Sequence, residues 1–295
     1  MTREMSTGAQ KTARDKTICA LITTLNEERE IAACLESLLW CDEILVVDSF
    51  STDRTPAIVA SFPGVHFEQH TYYGSAAQKN WAMDQCASDW ILIFDADERC
   101  SPELREEIEI LLEASPRADC YRIRRRLFFL DRHIRFCGWH NDLVVRLTRK
   151  GQARYPNRRV HADMVTQGPA PALKSCLDHY MVRDLGEYAS RICKYGVWGA
   201  AQLWKENRKS GLKEVVFRPT WRFIRAYFVQ GGILDGLHGF IFCGYQALGT
   251  FVKWGVLWGW CLTGDPHLPE FDESDTTWKA MEESASGADG VSVSS

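Results

Sequence analysis

Two hydrophobic rhythms alternate along the first 115 residues. Residues 17–24 (TICALITT), 43–47 (EILVV) and 90–94 (WILIF) are short, nearly unbroken apolar runs. Residues 65–69 (VHFEQ) fit one further strand between them. Runs this short, with little alternation, predict strands buried on both faces. Residues 28–39 carry Ile31, Leu35, Leu38 and Leu39 at i, i+4, i+7 and i+8, one apolar stripe of a helix. Residues 55–61 and 76–86 fit two more helices. Ser101-Pro102 opens another, with Ser as N-cap and Pro at the first helical position.

Strand and helix in alternation imply right-handed βαβ units and a mostly parallel sheet covered by helices, a Rossmann-like α/β fold. Ligands of such sheets bind beyond the carboxyl ends of the strands. Asp48, Asp95 and Asp97 all fall on that edge.

Beyond residue 115 the pattern changes. Residues 121–130 and 143–148 read as strands, and residues 185–207 as a helix with Tyr188, Ile192, Tyr195 and Gly199 on one stripe. From 218 to 264 the chain turns apolar, aromatic and Gly-rich. Neither uncharged run there, 239–252 or 254–264, reaches the roughly 18–20 residues that cross a bilayer. Trp221, Trp254, Trp258 and Trp260 with Arg218, Arg222 and Arg225 suit a headgroup boundary. The expectation is a set of in-plane, monotopic helices on a membrane surface, a buried helical subdomain or dimer face being the plainer reading. The domain reading is a polar, disordered 1–16; a catalytic domain at 17–180, with halves near 17–115 and 116–180; a helical, membrane-associating region at 181–264; and a disordered acidic tail at 265–295.

Composition adjusts this picture little. The 295 residues are 45% hydrophobic, enough for a full core, and the formal charge of −4 excludes a globally basic nucleic-acid binder. Charge is unevenly spread. Residues 121–159 hold eleven Arg and one Lys against two Asp, suited either to a solvated basic surface or to a phosphorylated acceptor or anionic headgroup. Eleven Cys without a CxxC pair or zinc spacing read as reduced thiols of a cytosolic protein. The first sixteen residues lack an apolar h-region, so no signal peptide is expected.

Three segments carry the chemistry, each at a strand end: TTLNEE (Thr23 to Glu28), VVDSFSTDRT (Val46 to Thr55) and FDADE (Phe94 to Glu98). In this order and spacing they resemble the nucleotide-sugar domain of family 2 glycosyltransferases, which have the GT-A fold. The resemblance runs on over residues 17–262. Gly138 to Asp142 (GWHND) with Arg146-Leu147, Val160-His161, and Gly231 to Gly236 (GGILDG) are similar to motifs of the lipopolysaccharide-core β-1,4-glucosyltransferase subfamily.

The resemblance implies an inverting, metal-dependent hexosyltransferase. It would move a hexose, glucose from UDP-glucose first among candidates, onto a membrane-attached glycolipid such as the lipopolysaccharide inner core. Asp97 would hold Mg²⁺ or Mn²⁺, with Asp95 beside it on the metal or the ribose. Asp48 would read the uracil N–H, while Thr24, Asn26 and Glu27 line the nucleotide pocket and Lys79 offers a cation. Physical chemistry agrees. A leaving diphosphate repels a bare carboxylate unless a divalent cation stands between them, and Mg²⁺ prefers one or two carboxylates completed by phosphate and water.

Single displacement also needs a base for the acceptor hydroxyl. The subfamily's Glu is Ala162 here, leaving Asp163 or Asp142, with His161 able to orient either. Ala77 is a second departure, standing where the subfamily usually has Lys. Each residue has a plainer reading as well: Asp53, in STD ahead of a helical run, reads as an N-cap, and Glu27 and Glu28 suit a helix N-terminus. Rival functions are a polyprenyl-phosphate sugar transferase, a sugar-phosphate nucleotidyltransferase (disfavoured because no Gly-rich loop follows the first strand), and a sugar-nucleotide-binding membrane protein that has lost its base. The expected partners are therefore a UDP-sugar, a glycolipid and a membrane surface, with no nucleic acid; the expected location is the cytoplasmic face of the inner membrane, held peripherally.

Overall fold

The computed structural model describes residues 15–266 except 115, 140–141 and 157–163. The expected disordered ends, 1–16 and 265–295, lie almost wholly outside the described residues.

The chain forms two compact units. The first takes residues up to 123 and 144–176; the second takes 124–143 and everything from 177. A single boundary near 180 is therefore not how the chain divides, because the 124–143 segment belongs with the C-terminal helices.

The first unit is built on β1 (Ile18–Thr24), β2 (Glu43–Asp48), β3 (Val65–Gln69) and β4 (Trp90–Asp95). Then come β5 (Glu98–Cys100), the start of β6 (Cys120–Phe129), β8 (Leu143–Arg149) and the start of β11 (Ala172–Val182). Short strand pairs elsewhere are β7 (Arg132–His133), β9 (Ala153–Arg154) and β10 (Val165–Thr166). The sheet order is β3-β2-β1-β4-β8-β6-β11-β5. β3, β2, β1 and β4 are mutually parallel, and β8 adds antiparallel to β4. This is the mostly parallel sheet that the alternation predicts, mixed as in the GT-A fold that the resemblance implies. Both faces of β1, β2 and β4 are dry, as their unbroken apolar runs require.

Helices α1 (Ile31–Leu38), α2 (Thr55–Ala60), α3 (Ser75–Gln85) and α4 (Pro102–Glu113) accompany these strands. In α4 the Ser101 hydroxyl accepts from Leu104 N, the N-cap predicted for it. α1 starts at Ile31, the first residue of its apolar stripe and three residues later than the expected 28, because residues 26–28 are tied to the loop after β2. It also ends at Leu38, so Leu39 turns out to solvent.

The second unit holds α5 (Leu185–Lys205), α6 (Leu212–Ile224), a π-helical turn (Arg225–Val229), a 3-10 turn (Gly232–Asp235) and α7 (Gly236–Thr263). α7 packs against both α5 and α6. α5 buries Tyr188 of the predicted stripe and packs Ile192 against the core, but further along its buried face is Gly196, Ala200 and Ala201, while Tyr195 is exposed. Small residues win over aromatic ones because α7 comes so close: a Cβ on Gly196 would stand 2.7 Å from Val252 Cγ1 and 3.3 Å from the Gly249 carbonyl.

One turn away, a Cβ on Gly199 would meet only the flexible Lys253 side chain, at 2.7 Å from its Cδ. Gly196→Ala is thus expected to lose about 1–3 kcal/mol by overpacking. Gly199→Ala should be neutral or gain up to about 1 kcal/mol from helix propensity. Urea unfolding of the two variants beside the parent checks the contrast.

Candidate active site

Strand register sets the site. Thr24 pairs with Asp48, and Thr23 with Asp95, so the three carboxyl ends of β1, β2 and β4 finish on one edge of the first unit. Asp97 follows in the two-residue turn between β4 and β5 and is half-buried. Thr24, Asn26, Glu27, Asp48, Lys79, Asp95 and Asp97 all belong to this unit.

The loops after β1 and β2 are zipped to each other. Asn26 takes a left-handed φ of 55°, and its Oδ1 accepts from Thr52 N at 2.8 Å. Its own N–H donates to Ser51 Oγ at 2.7 Å. Glu27 N donates to Thr55 Oγ1 at 2.9 Å, and Glu28 N to Asp53 Oδ2 at 3.0 Å. Asp53 Oδ1 also accepts from Thr55 N at 2.9 Å, so Asp53 braces the two loops and is not the N-cap its sequence context suggested; Arg54 holds that position. Asp48 lies fully buried beneath this zipper. Its Oδ2 accepts from Ser51 N at 2.8 Å and Gln69 Nε2 at 3.1 Å, and its Oδ1 from the Ser51 hydroxyl. The Thr24 hydroxyl, at the end of β1, is buried with no hydrogen-bond partner among the described residues.

Asp95 is the charged centre. Lys79 Nζ reaches its Oδ1 at 2.6 Å and Arg146 Nη2 its Oδ2 at 2.6 Å. The same Arg146 nitrogen reaches Glu98 Oε1 at 2.6 Å, and Glu98 Oε2 accepts from Asp95 N at 2.9 Å. Arg146 and Glu98 are both buried, and the Lys79 ammonium also lies 5.7 Å from the centre of the Tyr155 ring. Burial alone would raise the Asp95 carboxyl, but Arg146 and Lys79 outweigh it and hold it well below the usual carboxylate range. Burial alone would lower Arg146, yet Asp95 and Glu98 keep it protonated well above its ordinary value.

Arg146 and Glu98 are the residues sequence reasoning undervalued. Both stood inside quoted motifs, RL and FDADE, yet nothing local shows that a β8 arginine meets a β4 aspartate until β8 is placed beside β4. Among the described residues no group of three potential metal ligands gathers. A divalent ion that draws most of its ligands from phosphate and water needs no such cage.

In the second unit, Asp142 precedes β8. Its carboxylate accepts from Arg125 Nε at 2.7 Å, and its carbonyl accepts from Arg125 N at 2.9 Å. Part of the arginine-rich stretch is thus neutralised locally: Arg125 by Asp142, and Arg126 by Asp178. His161 and Asp163 lie outside the described residues.

Comparison with known proteins adds the following. The profile for Glycosyl transferase family 2 matches residues 19–160. The chain is 34% identical over 230 residues to the lipopolysaccharide core biosynthesis glycosyltransferase LpsC of Rhizobium meliloti (strain 1021), covering 76% of this chain and 85% of that protein. It is 29% identical over 240 residues to an uncharacterized glycosyltransferase of Rickettsia typhi, covering 77% and 81%. Among solved structures it is similar to Staphylococcus aureus TarS 1–349 in complex with UDP, at 16% identity and a TM-score of 0.43, covering 84% and 92%. It is also similar to glucosyl-3-phosphoglycerate synthase from Mycobacterium tuberculosis, at 20% identity and a TM-score of 0.32, covering 38% and 44%.

Two outcomes follow from this geometry. Asp95 stabilises the fold through a lowered pKa, so its contribution is complete above the unfolded value of about 3.9 and is lost as pH falls through the depressed folded value. Below about pH 4 the melting temperature of the parent should fall more steeply than that of Asp95→Asn, as a pH series of thermal melts would show. Phe50, next to the Asp48 brace, holds a φ of 61° while 52% exposed. A left-handed backbone costs an L-residue about 1–2 kcal/mol, and Gly returns part of that as unfolded-state entropy. Phe50→Gly should therefore gain somewhat under about 1 kcal/mol, read in the same melts.

Proposed function

The chain belongs to glycosyl transferase family 2, and from that premise we propose an inverting hexosyltransferase that takes a hexose from a UDP-sugar, glucose first among candidates, and delivers it to the inner core of lipopolysaccharide. The observation that carries the donor half is the strand register, which gathers Thr24, Asp48, Asp95 and Asp97 on one sheet edge. The acceptor half draws on LpsC, whose name places it in lipopolysaccharide core biosynthesis and which shares 34% identity with this chain.

Asp97, in the turn at the rim, is the metal-holding residue in this reading, with Asp95, held by Lys79 and Arg146, beside it on the metal's water shell or the ribose. Mg²⁺ or Mn²⁺, when bound, neutralises charge on the departing diphosphate. The donor set fits such an ion: a half-buried carboxylate at the rim, with Lys79 and Arg146 behind it already balanced by Asp95 and Glu98. Lys79 and Arg146 thus act in the first place by holding Asp95, which fixes the turn that presents Asp97. The unpartnered Thr24 hydroxyl is a ready contact for the nucleotide, since an unpaired buried hydroxyl is costly. For Asp48 to take a uracil N–H, its Oδ1 is the oxygen with acceptor capacity left, because Oδ2 already takes two hydrogen bonds and Oδ1 one. Asp48 also acts through the Ser51–Asn26 link that shapes the base-side loop.

The acceptor hydroxyl loses its proton to a carboxylate, Asp142 or Asp163, with His161 orienting it, and attacks the anomeric carbon opposite the diphosphate. No covalent intermediate forms. The enzyme works at the cytoplasmic face of the inner membrane, where it is peripherally held.

Metal-dependent UDP release, screened over a panel of sugar nucleotides with a membrane lipid extract as acceptor, tests this reading. Asp97→Ala should lower transfer by on the order of 10²-fold or more with an unchanged melting profile. Full transfer by that variant would remove the metal role, and binding of UDP-sugar without any UDP release would leave only a binding protein.

A further inference from the structure

One helical stretch, Gly232–Thr263, is long and apolar enough to cross a bilayer. Its packing argues against crossing. α7 lies along α5 and α6, and both of those helices carry charged residues. α6 carries Lys213, Glu214, Arg218 and Arg222, close to one charge per turn. On α5, Lys194 and Lys205 are both exposed and stand eleven residues apart, about 17 Å of helix, against a hydrocarbon core about 30 Å thick. A spanning α7 would carry these charges into the bilayer interior.

The turn joining α6 to α7 has the opposite character. Phe228, Val229, Ile233, Leu234 and Leu237 lie within ten residues, each 49–70% exposed. On α6 the apolar stripe continues as Phe217, Trp221 and Ile224, spaced i, i+4 and i+7 and all exposed. One residue round the helix from that stripe run Arg218, Arg222 and Arg225, again at i, i+4 and i+7. Lys253 of α7 completes the group, and Arg218 sits 4.3 Å from the centre of the Trp254 ring. These cations repel one another. After burial, Arg225 is what lowers Arg222, and Arg218 and Arg222 are what lower Lys253. Glu214 is engaged by the Gly211 N–H at the start of its own helix.

We propose that the α6–α7 turn, residues 228–237, inserts into one leaflet of a membrane rich in anionic lipid, while Arg218, Arg222, Arg225 and Lys253 bind its headgroup phosphates. An apolar tip flanked by cations matches the two layers of a leaflet, acyl boundary and charged surface. A second copy of the chain matches it less well, because a two-fold contact here would bring each basic row up against its own copy. The inference deepens the peripheral-membrane reading above by naming the surface and the lipid charge it takes.

Flotation of the full chain with vesicles tests it. The protein should float with phosphatidylcholine vesicles containing phosphatidylglycerol, only weakly with phosphatidylcholine alone, and less as salt rises. Leu234→Glu and the double change Arg218→Glu/Arg225→Glu should each cut binding at least about tenfold. All three positions are exposed, and unaltered melting and UDP binding confirm that the fold persists. Equal binding to neutral and anionic vesicles, full binding by Leu234→Glu, or a concentration-dependent dimer that does not float would each overturn the proposal. So would retention of the protein in bacterial membranes through an alkaline carbonate wash, which marks a spanning helix. Flotation involves no sugar transfer, so a failed transfer assay with intact flotation sinks the enzymatic reading alone, and the reverse result sinks this one alone.

Discussion

The buried charge group around Asp95 is the constraint on which the working edge depends. Taking the Arg146 guanidinium, the Lys79 ammonium and the Glu98 carboxylate out of water costs several kcal/mol per ion, and the cost is met only where each finds partners of good geometry, here with Asp95 still a third exposed. Here two cations meet two anions: Arg146 touches both Asp95 and Glu98, Lys79 touches Asp95, and Glu98 closes the ring through the Asp95 N–H. The group joins α3, β4, β5 and β8, so a single electrostatic unit fixes the turn that holds Asp97. An apolar group of similar volume could hold the same elements together with no desolvation cost. What it could not supply is directionality: Arg146 reaches two carboxylates from one nitrogen and Lys79 the remaining oxygen of one of them, so α3, β4, β5 and β8 are held in one register while the charges cancel.

The zipper between the loops after β1 and β2 plays a complementary part. Parallel strands end in loops whose backbone groups need partners, and here the two loops satisfy each other: Asn26 with Ser51 and Thr52, Glu27 with Thr55, Glu28 with Asp53. Asp48 anchors the arrangement from below. Polar residues at strand ends are thus largely occupied in holding the loops, and only some of them can be expected to touch a ligand directly. The left-handed backbone of Phe50 in this same loop is the kind of local strain that persists where surrounding contacts over-determine it.

How much of this was legible in the chain depended on the range of the interaction. Strands β1, β2, β3 and β4 are local, apolar and bounded by turn residues, and their ends could be read to within a residue or so. The Ser101 cap is equally local. β11 was not legible, because its polar and apolar positions do not alternate cleanly and its burial comes from neighbours far away in sequence. The later part of the buried face of α5 was misjudged because hydrophobicity favoured Tyr195, whereas close helix contact favoured Gly196 and Ala200. At the site, the carboxylates and Lys79 could be found by motif, but their pairing could not, since Lys79 and Arg146 reach Asp95 from α3 and β8. The division of the chain was hidden for the same reason: residues 124–143 join the C-terminal helices through contacts more than ninety residues distant.

Those distant contacts also account for the GGILDG segment, which has no evident chemistry of its own. The buried Asp235 carboxylate accepts from Arg135 N at 3.1 Å and Phe136 N at 2.9 Å, so it pins the start of the segment that ends at Asp142. The glycines serve the same join. Gly231 has a φ of 75° and faces the Phe136 ring, and a Cβ on Gly232 would stand 2.9 Å from Cys137 Sγ. From the other side, Gly138 has a φ of 87° and lies against the Gln230 side chain, where a Cβ would come within 2.5 Å of its amide oxygen. The two motifs are therefore the two halves of one close-packed joint, and neither could change alone without opening it. Asp235 positions backbone and stays buried, while Asp142, at the far end of the same segment, keeps a half-buried carboxylate held by Arg125. Position within the joint, more than residue type, separates an aspartate that is buried on backbone N–H groups from one that is half-buried on an arginine.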